Sequence, residues 1–186
     1  MSKEIGLPVE IEAGQDWPCY LELKSRMIAQ GINSEVYKDG PYALKVYKDG
    51  DDSVLGSLDY GKLRLYQEIT NRASDLARLE GWTLDLPFPF GRLKVAVNPI
   101  LALKRCDKCD SFETKMPFIP GQNLDAFPYS LYHDDLKMRF VRFNYRIERS
   151  FGVVGVSIMP INVKKIDSSL IVTDLCVDIG YLQKAY

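Results

Sequence analysis

The spacing of apolar positions changes several times along the chain, and each change predicts a different element. Apolar and polar residues intermix in a β-like pattern over residues 23–47, and Asp39-Gly40 predicts a hairpin turn within them. Residues 58–80 follow helical spacing, and Gly81 supplies the stop signal. Strand-like segments return over residues 86–118.

Residues 130–151 predict a second helix, with two different faces. One face is apolar: Leu136, Phe140, Phe143, Ile147 and Phe151. The other is basic, and we call it the arginine face: Arg139, Arg142, Arg146 and Arg149. Two β-like segments, 162–166 and 170–173, then flank a short turn and predict a hairpin. The order of strands, helix, strands, helix and hairpin predicts an α+β fold.

Composition limits the classes of function. A chain of 186 residues with 46% hydrophobic residues suits one core or two small lobes. The net charge of −1 supplies no general field for nucleic acid or an anionic membrane. No run of about 18 apolar residues exists to span a bilayer. Binding to nucleic acid or to an anionic membrane would therefore need a local patch of charge on the surface.

The histidine and cysteine counts restrict the chemistry further. His133 is the single histidine, so a His-rich metal site is excluded and a nucleophile–histidine site would depend on this one residue. Four cysteines do not resemble a disulfide framework, which favours a reducing compartment. The first residues, Met1 to Glu4, do not open a signal peptide. We therefore expect a cytoplasmic location.

Polar residues in apolar settings mark a candidate site. Gly31, Ser34 and Val36 have the form of a turn that covers a phosphate, with Val36 on the returning strand. Lys45 lies in an otherwise apolar strand, where a lysine is costly without a partner. Glu68, expected on the buried side of the first helix, is an available partner.

The C-terminal hairpin predicts a second half of this site. Asn162 precedes its first segment and Asp174 follows its second, so the turn would hold both at one end. An amide oxygen and a carboxylate are hard ligands suited to Mg²⁺. Plainer alternatives exist for each residue: a snorkelling lysine on an edge strand, a surface pair of Glu68 with Arg72, and a turn-capping Asp174.

In this order the pieces resemble the protein kinase fold, with its glycine-rich loop, strand lysine, helix glutamate and metal-binding Asn and Asp. The resemblance implies an α+β fold with an antiparallel-sheet N-lobe carrying one helix, and a truncated, mainly helical C-lobe. Residues 1–22 would be a leader, 23–118 the N-lobe and 119–186 the C-lobe. The implied nucleotide-binding residues are Gly31, Ser34, Val36, Ala43, Lys45, Met116 and Phe118.

The sequence also departs from the kinase pattern. Ser157 stands five residues before Asn162, where the family has its catalytic Asp, and Gly155 stands at the histidine position. Asp174-Leu175-Cys176 keeps only the Asp of the Asp-Phe-Gly motif. The chain is thus similar to minimal kinase-like proteins, among them short bacterial effector kinases, and a location in a host cytosol reached without a cleavable signal peptide is the second expectation.

The resemblance implies a protein that binds ATP with Mg²⁺ or Mn²⁺ and transfers a phosphoryl or nucleotidyl group to a protein. Lys45, Glu68, Ser157 and Asp174 would be its catalytic set, and Asn162 and Asp174 its metal ligands. The alternative is a catalytically weak pseudokinase that acts as a protein-binding module. Ser157 favours the alternative, while the retained polar set favours the enzyme. Asp178 is the nearest substitute for the missing carboxylate.

Two other patterns invite functional interpretations. The pair Cys106 and Cys109 has the spacing of a zinc half-site, but Cys19, Cys176 and His133 lie in other elements, so we expect a polar turn. The arginine face is typical of a solvated helix surface. It is also the candidate docking surface for an acidic protein partner, whereas nucleic acid and membrane are not expected.

Overall fold

The structure, a computed structural model, describes residues 17–30, 34–48, 60–86, 91–126 and 133–177. Within these ranges the fold is α+β, with helices α1 (Tyr60–Glu80) and α2 (His133–Phe151) and short 3-10 helices at Tyr20–Arg26 and Pro160–Asn162. The strands are β1 (Met27–Gln30), β2 (Glu35–Asp39), β3 (Tyr42–Lys48), β4 (Thr83–Leu86), β5 (Gly91–Val97), β6 (Ala102–Cys106), β7 (Ser111–Pro117), β8 (Gln122–Asn123), β9 (Val156–Ser157), β10 (Val163–Ile166), β11 (Ser169–Val172) and β12 (Cys176–Val177).

The N-terminal sheet is antiparallel and has five strands in the order β1-β2-β3-β7-β6. The predicted turn at Asp39-Gly40 joins β2 to β3, with Gly40 in the left-handed region at a φ of 56°. With two long helices, this sheet is consistent with the truncated kinase-like fold that the sequence predicts. Strand β3 lies between β2 and β7, so Lys45 is not on an edge strand.

This sheet uses both of its faces, because neighbouring residues of a strand point to opposite sides. What we call the cleft face carries Val36, Ala43, Lys45, Thr114 and Met116. The back face carries Tyr37, Leu44, Val46, Glu113 and Lys115. Trp17, Cys19, Tyr20 and Leu23 pack as a second core against the back face. Trp17, Cys19 and Tyr20, predicted as part of a leader, therefore contribute buried side chains to this second core.

A second sheet links the two predicted lobes. Its order is β4-β5-β11-β10-β8, and β5 pairs in parallel with β11. The predicted hairpin is present as β10 and β11, with Asp167 in its turn at a φ of 48°. Because β5 precedes residue 118 but pairs with β11 of this hairpin, and β4 pairs with β5, the boundary at residue 118 does not separate the two sheets.

The two helices share the main core with the second sheet. The predicted apolar face of α2 is confirmed, since Leu136, Phe140, Phe143 and Ile147 are buried. Helix α1 spans Tyr60–Glu80 and ends before Gly81, as predicted. It buries Leu63, Tyr66, Ile69, Thr70, Ala73 and Ala77. No helix in the described ranges is long and apolar enough to cross a membrane.

Candidate functional site

Lys45 and Asp174 meet where β3 faces the end of β11. The Nζ atom of Lys45 lies 2.5 Å from Oδ2 of Asp174, with 13% of the lysine side chain and 28% of the aspartate side chain exposed. Burial alone lowers the pKa of Lys45, but the negative charge of Asp174 and its hydrogen bond raise it further than burial lowers it. The lysine is therefore charged, and the ion pair links the first sheet to the second.

A tyrosine that the sequence did not single out completes this contact. The hydroxyl of Tyr66, on α1, donates a hydrogen bond to Oδ1 of Asp174. Burial, together with the charge of Asp174, raises the pKa of Tyr66, so the hydroxyl keeps its proton. The available signal was the spacing of Leu63, Tyr66 and Ile69, which places a tyrosine on the buried face, where its hydroxyl needs a partner.

Tyr47 is a second residue missed by the sequence analysis. Its ring centroid lies 5.2 Å from Nζ of Lys45, two residues away on the same face of β3. Burial raises the pKa of Tyr47, although the neighbouring lysine charge opposes the rise. Lys45 therefore has a carboxylate at its tip and an aromatic ring beside it.

Glu68 does not occupy the expected position. It is exposed on α1, so its predicted location on the buried side of the helix is wrong. At 3.6 residues per turn, Glu68 lies about 200° around the helix from the inward-facing Tyr66. The carboxylate that contacts Lys45 is that of Asp174. The alternative partner of Glu68, Arg72, lies with its guanidinium 4.7 Å from the ring centroid of Phe151.

Asn162 lies beside Asp174, as the hairpin predicts. Thr173 clamps the backbone of Asn162 twice, since its N–H and its hydroxyl donate to the Asn162 carbonyl at 2.7 and 2.9 Å. The amide nitrogen of Asn162 donates to the sulfur of Cys176 at 3.4 Å, so its side-chain oxygen is the atom left for a cation. Burial and then the charge of Asp174 raise the pKa of Cys176.

Ser157 lies on β9, opposite Cys176 of β12. Its hydroxyl donates to the sulfur of Met159 at 3.3 Å. A serine hydroxyl directed at a thioether has no acid–base function at neutral pH. Gly155 precedes this strand in the left-handed region, at a φ of 81°. Asp178, the predicted substitute, lies outside the described residues.

The expected adenine-side residues share the cleft face with Lys45. Val36 pairs with Lys45 across the strands, and Ala43 pairs with Met116. Both Ala43 and Met116 are buried. The backbone N–H of Phe118, just after β7, donates to the carbonyl of Pro41 at 2.8 Å. Ser34 directly precedes β2, and Gly31 lies outside the described residues.

The arginine face is largely committed to contacts within the chain. Arg139 binds Asp135 at 2.6 Å and the carbonyl of Asp85 at 2.8 Å. Arg142 donates to the carbonyl of Thr83, and Arg146 pairs with Glu80. Arg149 is exposed. Three of the four arginines thus hold α2 to its own first turn, to β4 and to the end of α1.

Together the residues form a polar corner on an otherwise apolar cleft. Lys45 offers a cation suited to phosphate, and Asp174 and Asn162 offer hard oxygen donors. Val36 and Phe118 are partly buried, whereas Ala43 and Met116 are packed in the main core. These donors fit a Mg²⁺-bound nucleotide in kind. In the structure as described, however, Lys45 and Tyr66 each bind one oxygen of Asp174.

Comparison with known proteins finds distant structural similarity to WbdD, among other solved chains. No family model matches the chain, and neither does any curated protein. A crystal structure of WbdD aligns with a TM-score of 0.36 and 13% identity, over 77% of this chain and 30% of WbdD. A co-crystal structure of WbdD with the kinase inhibitor LY294002 gives a TM-score of 0.35 and 15% identity, over 82% of this chain and 31% of WbdD. The chain therefore spans less than a third of the length of that protein.

Proposed function

We propose that this chain is an atypical, minimal kinase-like protein that binds ATP with Mg²⁺ or Mn²⁺ and transfers a phosphoryl or nucleotidyl group to a protein. The observation that supports it best is the ion pair of Lys45 with Asp174. A lysine from the middle of a sheet and a carboxylate from a distant hairpin meet at a partly exposed corner. Ionisable groups with perturbed pKa values and a specific charge partner are typical of functional sites.

Each residue has a defined part in this proposal. Lys45 binds the phosphates, and Asp174 and Asn162 hold the metal ion, which neutralises phosphate charge when it is bound. The adenine lies against Val36 and Phe118, the partly buried apolar residues of the predicted set. The clamp of Thr173 on Asn162 keeps this ligand beside Asp174 before any nucleotide arrives, which lowers the entropic cost of forming the site.

Nucleotide binding also affects the contacts of Asp174. Tyr66 and Lys45 each bind one oxygen of this carboxylate, so a metal ion there competes with both donors for its negative charge. The Lys45 ammonium then gains phosphate oxygens in place of the carboxylate. Tyr66 gains no comparable partner, so its hydrogen bond favours the metal-free state.

A pseudokinase is the second candidate, and Ser157 is the observation that favours it. Phosphoryl transfer to a hydroxyl needs a group that orients the acceptor and accepts its proton. Ser157 bonds to Met159 and supplies no carboxylate. In this case the protein binds nucleotide weakly or not at all and acts through a protein partner, for which the arginine face is the predicted surface.

One experiment separates these functions. The protein is incubated with α-labelled or γ-labelled ATP, Mg²⁺ or Mn²⁺ and a host lysate, and label on protein is measured. Transfer of the γ-label indicates a kinase, and transfer of the α-label indicates nucleotidyl transfer. Asp174→Ala should abolish either signal, whereas Asp75→Ala, an exposed carboxylate on α1, should not change it.

Binding is measured in parallel as the rise in melting temperature with Mg·ATP. A rise without label transfer supports the pseudokinase. Absence of both label and melting shift in the folded wild-type protein overturns the nucleotide site itself. An unchanged melting shift in Asp174→Ala means that ATP binds elsewhere.

A further inference from the structure

Three cysteines and a glutamate meet on the back face of the first sheet, away from the candidate nucleotide site. Cys19, Cys106, Cys109 and Glu113, which we call the cysteine cluster, hold their ligand atoms within 4.8 Å of one another. The sulfur of Cys19 lies 3.3 Å from that of Cys109 and 3.4 Å from that of Cys106. Cys176, the fourth cysteine, is exposed and contacts Asn162 instead.

The distances between the sulfur atoms match those of ligands to one metal ion better than those of a disulfide bond. A disulfide bond measures about 2.05 Å, well short of these distances. Zinc binds thiolate sulfur at about 2.3 Å, and tetrahedral geometry then separates two sulfurs by about 3.8 Å. Separations of 3.3 and 3.4 Å are near that value and need only small side-chain adjustments to admit an ion.

The local backbone also suits a metal. Cys106 ends β6, Cys109 lies in the tight turn that follows, and Asp110 there adopts a φ of 45°. Two cysteines separated by two residues in a hairpin turn form one half of common structural zinc sites. Cys19 comes from the segment that covers the back face, so the fold supplies the third sulfur from a distant part of the chain.

Glu113 is suited to be the fourth ligand. Its residue is 0% exposed, and a buried carboxylate requires compensation. The indole N–H of Trp17 donates to Oε2 at 2.7 Å, and the backbone N–H of Tyr20 donates to Oε1 at 3.3 Å. Each carboxylate oxygen can accept two hydrogen bonds, so each oxygen of Glu113 keeps a lone pair that can bind a metal ion. These donors also orient the carboxylate, as outer partners of metal ligands do.

The surroundings supply charge compensation and access. Three thiolates and one carboxylate carry four negative charges, and a divalent ion neutralises two of them. The ammonium of Lys104 lies 3.6 Å from Glu113 and offsets part of the remainder. A surface cavity of about 420 Å³, lined by Cys19, Cys106 and Lys108 among others, offers a path from solvent.

We propose that Cys19, Cys106, Cys109 and Glu113 form a structural zinc site. On binding, each thiol releases its proton to solvent as its sulfur coordinates the ion. The site ties residues 17–26 and the β6–β7 turn to the back face of the sheet. It does not depend on the proposed nucleotide chemistry, since none of its ligands lies on the cleft face.

The test is metal analysis of the full chain purified without chelator. Elemental analysis should find about one zinc per chain, retained on desalting and removed by a strong chelator with a fall in melting temperature. Cys109→Ser and Cys19→Ser should each lose most of the zinc, while the matched control Cys176→Ser should keep it. Glu113→Gln should weaken zinc binding by roughly 10-fold or more in a chelator competition.

A second measurement on the wild-type protein avoids variants that fail to fold. A thiol-reactive dye should label one cysteine, Cys176, in the zinc-loaded protein. After chelation it should also label Cys109, which is partly exposed, and after denaturation all four cysteines. Substoichiometric zinc that a saturating Zn²⁺ titration does not increase overturns the proposal. The finding of iron instead of zinc would also overturn it. A mass of the purified chain lower by two hydrogen atoms would reveal a disulfide and overturn it as well.

Discussion

The hydroxyl of Tyr66 donates a hydrogen bond to the carboxylate of Asp174. This contact stabilises the metal-free arrangement and competes with a cation for the same carboxylate. Tyr66→Phe should lower the free energy of unfolding by about 1–2 kcal/mol, because a bond to a charged group is lost. The same variant should bind Mg·ATP more tightly than the wild type, because one competitor for Asp174 is gone.

The measurements are chemical denaturation without nucleotide and the melting shift with Mg·ATP. Tyr60→Phe is the matched control, since Tyr60 is exposed on the same helix. It should change neither quantity. A Tyr66→Phe variant that is less stable and also binds nucleotide more weakly would contradict the competition described above.

Cys176 provides a chemical probe of the same corner. Cys176 is exposed as a residue, but partial desolvation of its sulfur and then the charge of Asp174 raise the pKa of its thiol. Less thiolate is therefore present near pH 8 than for a free cysteine. Alkylation by iodoacetamide should therefore be slow and should accelerate as pH rises beyond the ordinary cysteine range. Asp174→Asn, which removes the negative charge, should lower the pKa and speed the reaction at pH 8.

Saturating Mg·ATP should protect Cys176, because its sulfur contacts Asn162, a proposed metal ligand. Peptide mapping by mass spectrometry gives the alkylation rate of each cysteine in one digest. Asp174→Ala, which should not bind Mg·ATP, is the control, and alkylation of Cys176 in this variant should not respond to nucleotide. Equal alkylation of Cys176 with and without bound Mg·ATP would place the nucleotide away from this corner.

Gly121 lies where a side chain has no room. Its φ is 108°, and a Cβ atom there would lie 2.6 Å from the carbonyl oxygen of Lys165. Gly121→Ala should therefore lower the free energy of unfolding by about 2–3 kcal/mol, from backbone strain and displacement of β10. Gly152→Ala measures the cost of a positive φ without a steric clash, since Gly152 has a φ of 64° and no heavy atom lies within 4 Å of a Cβ there. Denaturant titrations with equal losses for both variants would show that the Lys165 contact has no effect.

Two arginines of the arginine face differ in what they contact. Arg142 donates to the carbonyl of Thr83 on β4, whereas Arg149 is exposed. Arg142→Ala should lower the free energy of unfolding by about 0.5–1 kcal/mol, and Arg149→Ala should leave it unchanged. Thermal and urea denaturation of both variants decide this. If only Arg149→Ala lost stability, Arg149 and not Arg142 would be the arginine that stabilises the fold.

Sequence patterns were sufficient where contacts are local or where a short turn fixes them. The helical spacing gave both helices, and the apolar face of α2 is buried as expected. The turn at Asp167 fixes the register of β10 and β11, so the closeness of Asn162 and Asp174 followed from the sequence. The need of Lys45 for a partner was also predictable, because burial of a lysine demands one, but the expected partner was Glu68 and the observed one is Asp174.

Contacts that depend on the relative rotation of distant elements were not predictable. The buried face of α1 turns Tyr66 inward and Glu68 outward, and a difference of two residues decides which one meets Asp174. The cysteine cluster was dismissed because Cys19 is far from Cys106 in sequence. It forms because Trp17, Tyr20 and Leu23 bury apolar surface on the back of the sheet and carry Cys19 with them.

The pairing of β3 with β7 has a consequence for both proposed sites. Lys45 stands opposite Thr114 on the cleft face, and the next pair, Val46 and Glu113, stands on the back face. A slip of one residue in this pairing would exchange the two faces of β7. It would remove Glu113 from the cysteines and place a buried charge beside Lys45. Both proposed sites therefore depend on the register of β3 and β7. An insertion inside either strand would disrupt the two sites together.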